Sequence, residues 1–405
     1  MQRAIFSSWI FISIALLLYS FTQVDLSLTL SQVSIWQGIQ KFFQQIGYFN
    51  RPLSTVLFLG IIGGMFALYG ITLSLIRKNI IDRKLLWKII IFVSVILFFS
   101  YNAFSYDLFN YIFDAKIVTY YGQNPYEHKA LDYPGDPMLS FMHWTHRTYP
   151  YGPVWLLLTI PVSFIGFGYF LLTFYLFKLL MLGSYIGSAY FIEKISSSTS
   201  SGQAKKTDIN PLFSLAVFAL NPLIIIESLV SAHNDIVMIV FALIGIFAFF
   251  DRKIVYSLIT LGASIAVKFA TIFLLPALLL DLFFKVNKET VIRAVIVSMF
   301  VAVAIATGRT NFQPWYLLLL IPFASLIANR FYVIIPLVVV SFFALLQYVP
   351  FIYLGNWDPP IPTILNLIMV ASILVSIVLV LGWMFKRTIL NIKYQIANSK
   401  NTNKI

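Results

Sequence analysis

The segment SYDLFNYIFDAK, residues 105 to 116, follows the apolar run KIIIFVSVILFFS and carries two carboxylates, Asp107 and Asp114. Their spacing of seven residues is two helical turns, so both acids would share nearly one face, with Asn110 and Tyr111 between them. Carboxylates placed this way could chelate a metal or move protons. A straight helix separates them by about 10 Å of rise, whereas a metal draws each ligand oxygen to about 2 Å, so a shared ion would require a break in the helix. Proton transfer stays open to both. So does a structural role, with Asp107 solvated beyond the span and Asp114 paired to Lys116 or capping a turn.

The chain continues YGQNPYEHKALDYPGDPMLSFMHWTHRTYPYGPVW, a long stretch rich in aromatic, proline and polar residues. Long ordered loops are often functional. Asn124-Pro125-Tyr126 and Tyr149-Pro150-Tyr151-Gly152-Pro153 set turns and give the loop a definite shape. Tyr126, Tyr149 and Tyr151 offer flat faces with polar edges, which suit a pyranose ring or the bilayer interface. His143, His146 and Arg147 are cations or near-cations that could face a phosphate; HWTH has the spacing of a metal pair but no third ligand nearby.

Three further clusters interrupt apolar runs. SAHNDIVM places His233, Asn234 and Asp235 at the mouth of two apolar helices, where unpaired polar groups are expensive. Asp235 could equally be the N-cap of a helix over 236–250. Lys268, inside ASIAVKFATIF, is either a site cation or a side chain snorkelling to the interface. TGRTNFQPWYLLLLIP sets Arg309, Gln313, Trp315 and Tyr316 at the entrance of a helix beginning at Pro314, and Arg309 could be an interface anchor.

Elements that hold these groups follow from composition. Of the 405 residues 60% are hydrophobic and 11% charged, there is no cysteine, and the mean hydropathy is +0.88. A soluble globular chain does not look like this. Apolar runs near 5–22, 53–76, 85–104, 153–192, 210–229, 236–250, 254–284, 291–307, 315–328, 331–349 and 361–385, set against the roughly 20 residues a crossing needs, predict an all-α integral membrane protein. The expected architecture is a polytopic bundle of about 10–12 transmembrane helices, with an extracytoplasmic loop carrying short helices. Residues 1–22 are read as an uncleaved anchor. One membrane-embedded domain, 1–405, accounts for the chain: spans in 1–104, a loop over 105–152, further spans over 153–385 and a cytoplasmic tail, 386–405.

The net charge of +13 does not imply nucleic acid. Basic residues sit at segment ends, in RKNIIDRK, DRK, KVNKETVIR and the tail, which is the positive-inside pattern of anchors on anionic headgroups. With those ends cytoplasmic, 105–150, 230–235, 308–314 and 350–360 are expected on the extracytoplasmic side. EKISSSTSSGQAKKTD, 193–208, is read as a cytoplasmic connector, so 153–192 must cross an odd number of times. A short or re-entrant piece near IPVSFIGFG would resolve this, and broken half-helices around Lys268 would do the same for 254–284. No internal repeat is evident.

YDLFNYIFDAKIVTYYGQNPYEHKALDYPGDPMLSF, TYPYGPVW, LNPLIIIESLVSAHNDIVM, ASIAVKFATIFLLPALLL and NFQPWYLLLLIP, in that order between about 100 and 325, together resemble the membrane-embedded GT-C glycosyltransferases. The resemblance is closest to the bacterial α-(1→6)-mannosyltransferase group that uses polyprenyl-phosphate mannose. It implies transfer of a hexose, mannose by analogy, from a polyprenyl-phosphate sugar donor to a glycan or glycolipid acceptor hydroxyl at the outer face of the bacterial cytoplasmic membrane. It further implies that an acid of the first long external loop is the base, a position Asp107 matches, with Asp114 matching the second acid. Where the family often has adjacent acids, Ser105-Tyr106 precede a single aspartate here, and YPYGP stands where Tyr-Pro-Pro is usual.

The chemistry is coherent with these residues. A sugar hydroxyl needs a carboxylate to take its proton, a single base suits an inverting single displacement, and a departing phosphate calls for fixed cations. Arg147, Arg309, Lys268 and His233 are the candidates. A lipid-borne donor needs no nucleotide pocket, and no P-loop or Gly-rich dinucleotide motif is present. No cofactor is implied, and metal dependence is left open. A transporter or flippase is the rival class, which would place acids at mid-membrane and show two related halves; a membrane scaffold would need no loop acids. Among enzymes, a polymerase or ligase of lipid-linked oligosaccharides would differ by its pyrophosphate donor.

Overall fold

Apolar runs become helices in the computed structural model, which describes residues 1–200 and 210–402, and the polar residues between them set where each helix starts. After α1 (Gln2–Phe21), α2 (Ser34–Gln44) presents Ile35, Trp36 and Phe42 outward. That leaves it an amphipathic helix suited to lying in an interface. Asn50 accepts from Leu53 N at 3.3 Å to start α3 (Arg51–Arg77), and Asp82 accepts from Leu85 N at 2.8 Å to start α4 (Arg83–Phe98). The acid-bearing α5 (Asp107–Thr119) follows a short irregular link.

α6 (Pro153–Ile165) and α7 (Phe170–Ser200) divide the long 153–192 run. At 13 residues α6 is about 20 Å long, short of a hydrocarbon core of about 30 Å. The connector read over 193–208 is therefore helical to Ser200, and its remaining residues lie outside the described ones. Next come α8 (Pro211–Ala219) and α9 (Pro222–Ile225), the latter continuing as a π-turn over Ile226–Val230; the pair is bent by 54° where Asn221 caps and Pro222 lacks an N–H. α10 (Asp235–Phe250) precedes α11 (Ile254–Val267), and α12 (Leu274–Phe284) begins after Lys268, which is extended at φ −155°, ψ 127°, and a 3₁₀ turn over Phe269–Phe273. α13 (Lys288–Thr310), a 3₁₀ turn over Pro314–Leu319, α14 (Ile321–Ser325), α15 (Phe331–Leu346), α16 (Val349–Leu354) and α17 (Ile361–Thr402) complete the chain. The tail read from 386 is thus helical through Thr402, and 403–405 lie outside the described residues.

Among the described residues six helices are long and apolar enough to cross a membrane, or seven if the bent pair counts as one span; four shorter apolar helices accompany them. The ten to twelve crossings expected from apolar runs are redistributed because the Gly166–Tyr169 turn, Pro222 and Lys268 break runs that composition alone joins. The run over 315–328 is 3₁₀ and short helix rather than a full span. Its inner residues are buried, which is where non-helical backbone is tolerated at membrane depth.

Helix α10 packs on α11 and α7, α1 on α3 and α4, and α5 on α6. α17 packs on α15, and only 11% of its span is buried against one third for α1 and α3, so it faces lipid. Basic residues gather at one end of the bundle. Arg83 pairs with Glu193 at 2.6 Å, Arg252 with Asp281 at 2.7 Å, and Glu289 with Arg293 and Arg330 at 2.6 and 3.1 Å. At the other end of α4, α10 and α13 lie Asp107, Asp235 and Trp315.

Candidate active site

Ser105 prepares the start of α5: its Oγ accepts from Asp107 N at 3.1 Å, so the acid stands in the helix's first turn. The N-terminal end of a helix favours negative charge. Asp107 keeps one fifth of its side chain exposed while Oδ2 lies 3.4 Å from Nδ1 of the fully buried His233. Oδ1 has no hydrogen-bond partner among the described residues. Burial pushes the Asp107 carboxyl up, but His233 and the charges of Lys268 and Arg147 outweigh it and hold the group below the usual aspartate value.

Asp114, two turns along and half-buried, is pushed up to about 8 by burial and by the Asp107 charge. Two carboxyls on one helix face are thereby driven apart, one ionised and one protonated at neutral pH. Asn110, between them, donates to the His143 carbonyl at 2.7 Å. Tyr111 donates to Asn234 Oδ1 at 3.3 Å and meets Tyr151 edge-on with ring centres 5.3 Å apart.

On its far side His233 Nε2 lies 3.3 Å from Glu227 Oε2, and the ring stacks on Trp315 at 4.4 Å. Neither nitrogen makes a hydrogen bond of normal geometry; the imidazole is an ion-pair partner to two carboxylates. Burial alone would lower it, yet Asp107 and Glu227 raise it to about 9.

Asp235 does not cap α10. It lies inside the first turn, fully buried, and both its oxygens accept from Lys268 Nζ at 2.9 Å. Lys268 therefore does not snorkel: the helix break aims its amine at Asp235 and leaves 30% of the side chain exposed. The loop over 120–152 is fastened to that break, where Gly152 N donates to Val267 O at 3.1 Å. A Cβ on Gly152 would stand 2.2 Å from Ala266 O, so only glycine allows the approach.

The remaining candidates divide. Tyr149 is buried and donates to Gly152 O at 3.0 Å, and Tyr126 donates to Tyr151 O at 3.2 Å; both shape the loop beside Asp107. Arg147 is exposed and covers Trp144 at 4.2 Å. Asn124 turns out to be a turn residue, accepting from Tyr126 N at 3.1 Å and donating to Glu127 at 2.9 Å. His233 and Asn234 are fully buried; His233 lies against the partly exposed Asp107 and Asn234 against the buried Tyr111. Arg309 is exposed; Tyr316 bonds Thr310 at 2.5 Å, and half-buried Gln313 precedes the turn that carries Trp315.

Glu227 and Tyr348, whose hydroxyl donates to Glu227 Oε1 at 2.8 Å, were not among the sequence candidates. The acid in IIIESLV was the available signal, by the rule that singled out Lys268, and a π-turn is a frequent mark of a functional site. Among the described residues no three His, Asp or Glu side chains converge to hold a metal ion.

A family model described as alpha-(1->6)-mannopyranosyltransferase, N-terminal domain, matches residues 12–283. The alpha-(1->6)-mannopyranosyltransferase A of Corynebacterium glutamicum is 22% identical over 242 residues, covering 58% of this chain and 48% of that protein. The chain thus spans about half the length of the curated relative it matches. No solved structure matches.

Proposed function

The chain belongs to the alpha-(1->6)-mannopyranosyltransferase family, and from that premise we propose that it moves a mannosyl residue from a polyprenyl-phosphate donor to a glycan or glycolipid acceptor hydroxyl. The reaction is an inverting single displacement at the extracytoplasmic face of a bacterial cytoplasmic membrane. The acceptor oxygen attacks the anomeric carbon, the bond from that carbon to the phosphate oxygen breaks, and the hydroxyl proton passes to Asp107. Polyprenyl phosphate leaves with the bonding pair.

The observation that carries this reading is the state of Asp107: an ionised carboxylate with one oxygen turned to His233 and the other free, at the end of the bundle opposite the basic anchors. Lys268 and Arg147 are the cations whose charge reaches Asp107, and both retain exposed surface for the departing phosphate. Asp114, protonated at neutral pH, acts as a hydrogen-bond donor beside the base. Exposed Tyr126 and half-buried Tyr151, with buried Tyr149 packed edge-on between them, offer the ring faces on which a sugar would rest. The cluster of basic helix ends supports a cytoplasmic position for the opposite face.

Membranes containing the native chain or Asp107→Asn, incubated with radiolabelled polyprenyl-phosphate mannose and an alkyl mannoside, test the assignment. Loss of roughly 10²–10⁴-fold is expected for the variant. Equal transfer by both removes Asp107 as base; a solute crossing the bilayer with no sugar transfer from any isoprenoid donor favours a transporter instead.

A further inference from the structure

Glu227 sits in an otherwise apolar stretch, fully buried, and among the described residues its ion-pair partner is His233. A lone buried carboxylate is costly, and the local fold is arranged to meet that cost with a single ring. The π-turn over Ile226–Val230 lets His233 N donate to Glu227 O at 3.0 Å, and Ala232 adopts φ +57° to close the loop. The imidazole is thereby folded back over the Glu227 side chain, with its other nitrogen toward Asp107. Trp315 stacks on the ring and Tyr348 fixes the outer Glu227 oxygen.

We propose, on the reading that Asp107 is the base, that Glu227 is a positioning residue: it holds His233 as an imidazolium between two carboxylates and so keeps Asp107 ionised and aimed. A carboxylate paired with an unshared cation would be a poor base. With Glu227 on the opposite nitrogen the imidazolium's charge is divided, and Asp107 retains basicity while its orientation is fixed. Remove the charge of Glu227 and the ring gives up its proton more readily, because one of two stabilising anions is gone.

The groups that act on this chain of three come from several elements. Asp107 and Asp114 face it from α5, and Asp235 and Lys268 stand nearby as a closed pair. Arg147 acts on Asp107 from the external loop, and Tyr348 touches Glu227. Of these, only Asp107 and Glu227 meet the ring itself.

The ring's stacking on Trp315 supplies a readout independent of activity, since an imidazolium quenches an adjacent indole more than neutral imidazole does. Detergent-purified full-length chain and the Trp315→Phe variant, titrated in parallel, give the Trp315-dependent emission by difference. A midpoint near pH 9 is expected for the native chain, and Glu227→Gln should lower it by roughly 1–3 pH units. The alkaline limb of mannosyl transfer should move with it, and Glu227→Asp should restore part of both shifts. If Glu227→Gln does not accumulate in membranes, Glu227→Asp carries the test, with a midpoint below the native one expected.

An unmoved midpoint in whichever variant is measured overturns the proposal. So does an unmoved alkaline limb with only reduced amplitude, which is what a merely structural role would give. Should Asp107→Asn transfer mannose normally, the reading of the base fails while the emission titration still decides the Glu227–His233 coupling.

Discussion

Lys268 donates to both oxygens of Asp235 at 2.9 Å, joining the break between α11 and α12 to the first turn of α10. Asp235 is buried whereas Lys268 is not, so the two partners differ in what they lose. Lys268→Met strands a buried carboxylate and should cost about 3 kcal/mol, read as a lowered midpoint of thermal unfolding in detergent. Replacing both, with Asp235→Leu added, should recover most of that stability, because an apolar pair removes the buried charge with its partner. Transfer should stay low in the double variant, since the cation proposed for the leaving phosphate is gone. Native transfer rates in it would restrict Lys268 to holding the fold together.

Asp114 provides a pH signature. Its folded-state value of about 8 lies above that of an unfolded aspartate. Between those values the folded chain binds the proton and the unfolded chain does not, so this group's contribution is fully present below about pH 4 and declines as pH rises to about 8. Asp114→Asn removes the decline. Measured from pH 5 to 9, its unfolding midpoint should gain on the native chain as pH rises, by about 5 °C at the upper end. Parallel curves would mean that Asp114 ionises normally.

Gly152 ties the loop over 120–152 to the Lys268 break at a distance no side chain permits. Gly152→Ala must push Ala266 away or displace the loop, and overpacking of this kind costs about 1–3 kcal/mol. Because the displaced segment carries Tyr149 and Tyr151 on one side and Lys268 on the other, transfer should fall further than stability alone explains. A comparison of specific activity per folded molecule with the unfolding midpoint checks this; activity that tracks folded fraction alone would contradict it.

Much of the site was legible from local signals. An acid at the start of a polar segment after a span, a lysine in an apolar run and a polar triplet between two apolar helices are each visible without tertiary structure, and Asp107, Lys268 and His233 do converge. Their relations were not legible. Asp235 had the position of an N-cap, and only the helix break thirty-three residues away turns it into the partner of Lys268. His233 looked like a group facing a ligand; its burial between Asp107 and Glu227 depends on the π-turn, which no residue type announces. Glu227 and Lys178 are not among the sequence candidates, although Lys178 Nζ donates to Ser100 Oγ at 2.8 Å and anchors α7 beside the link to α5. The crossing count blurred for a related reason: hydropathy joins α11 to α12 and α6 to α7, while the breaks are short turns, at Gly166–Tyr169 and at Lys268–Phe273.

Arg147 offers the sharpest separation between binding and chemistry. Its charge reaches Asp107 from an exposed position in the loop before α6, and its guanidinium rests on Trp144. No network on the basic end of the bundle competes for it. A guanidinium that meets a donor phosphate equally in the ground and transition states supports binding without accelerating the displacement. Arg147→Gln should then raise KM for polyprenyl-phosphate mannose by roughly tenfold to a hundredfold, the loss of a charge-assisted hydrogen bond of about 1.5–3 kcal/mol, with kcat close to native. If instead kcat falls and KM holds, the contact forms only as the phosphate departs, and Arg147 stabilises the developing charge. Arg309→Gln, on the exposed end of α13, should change either constant by less than about threefold. Equal losses at the two arginines would place the phosphate between them rather than beside Asp107.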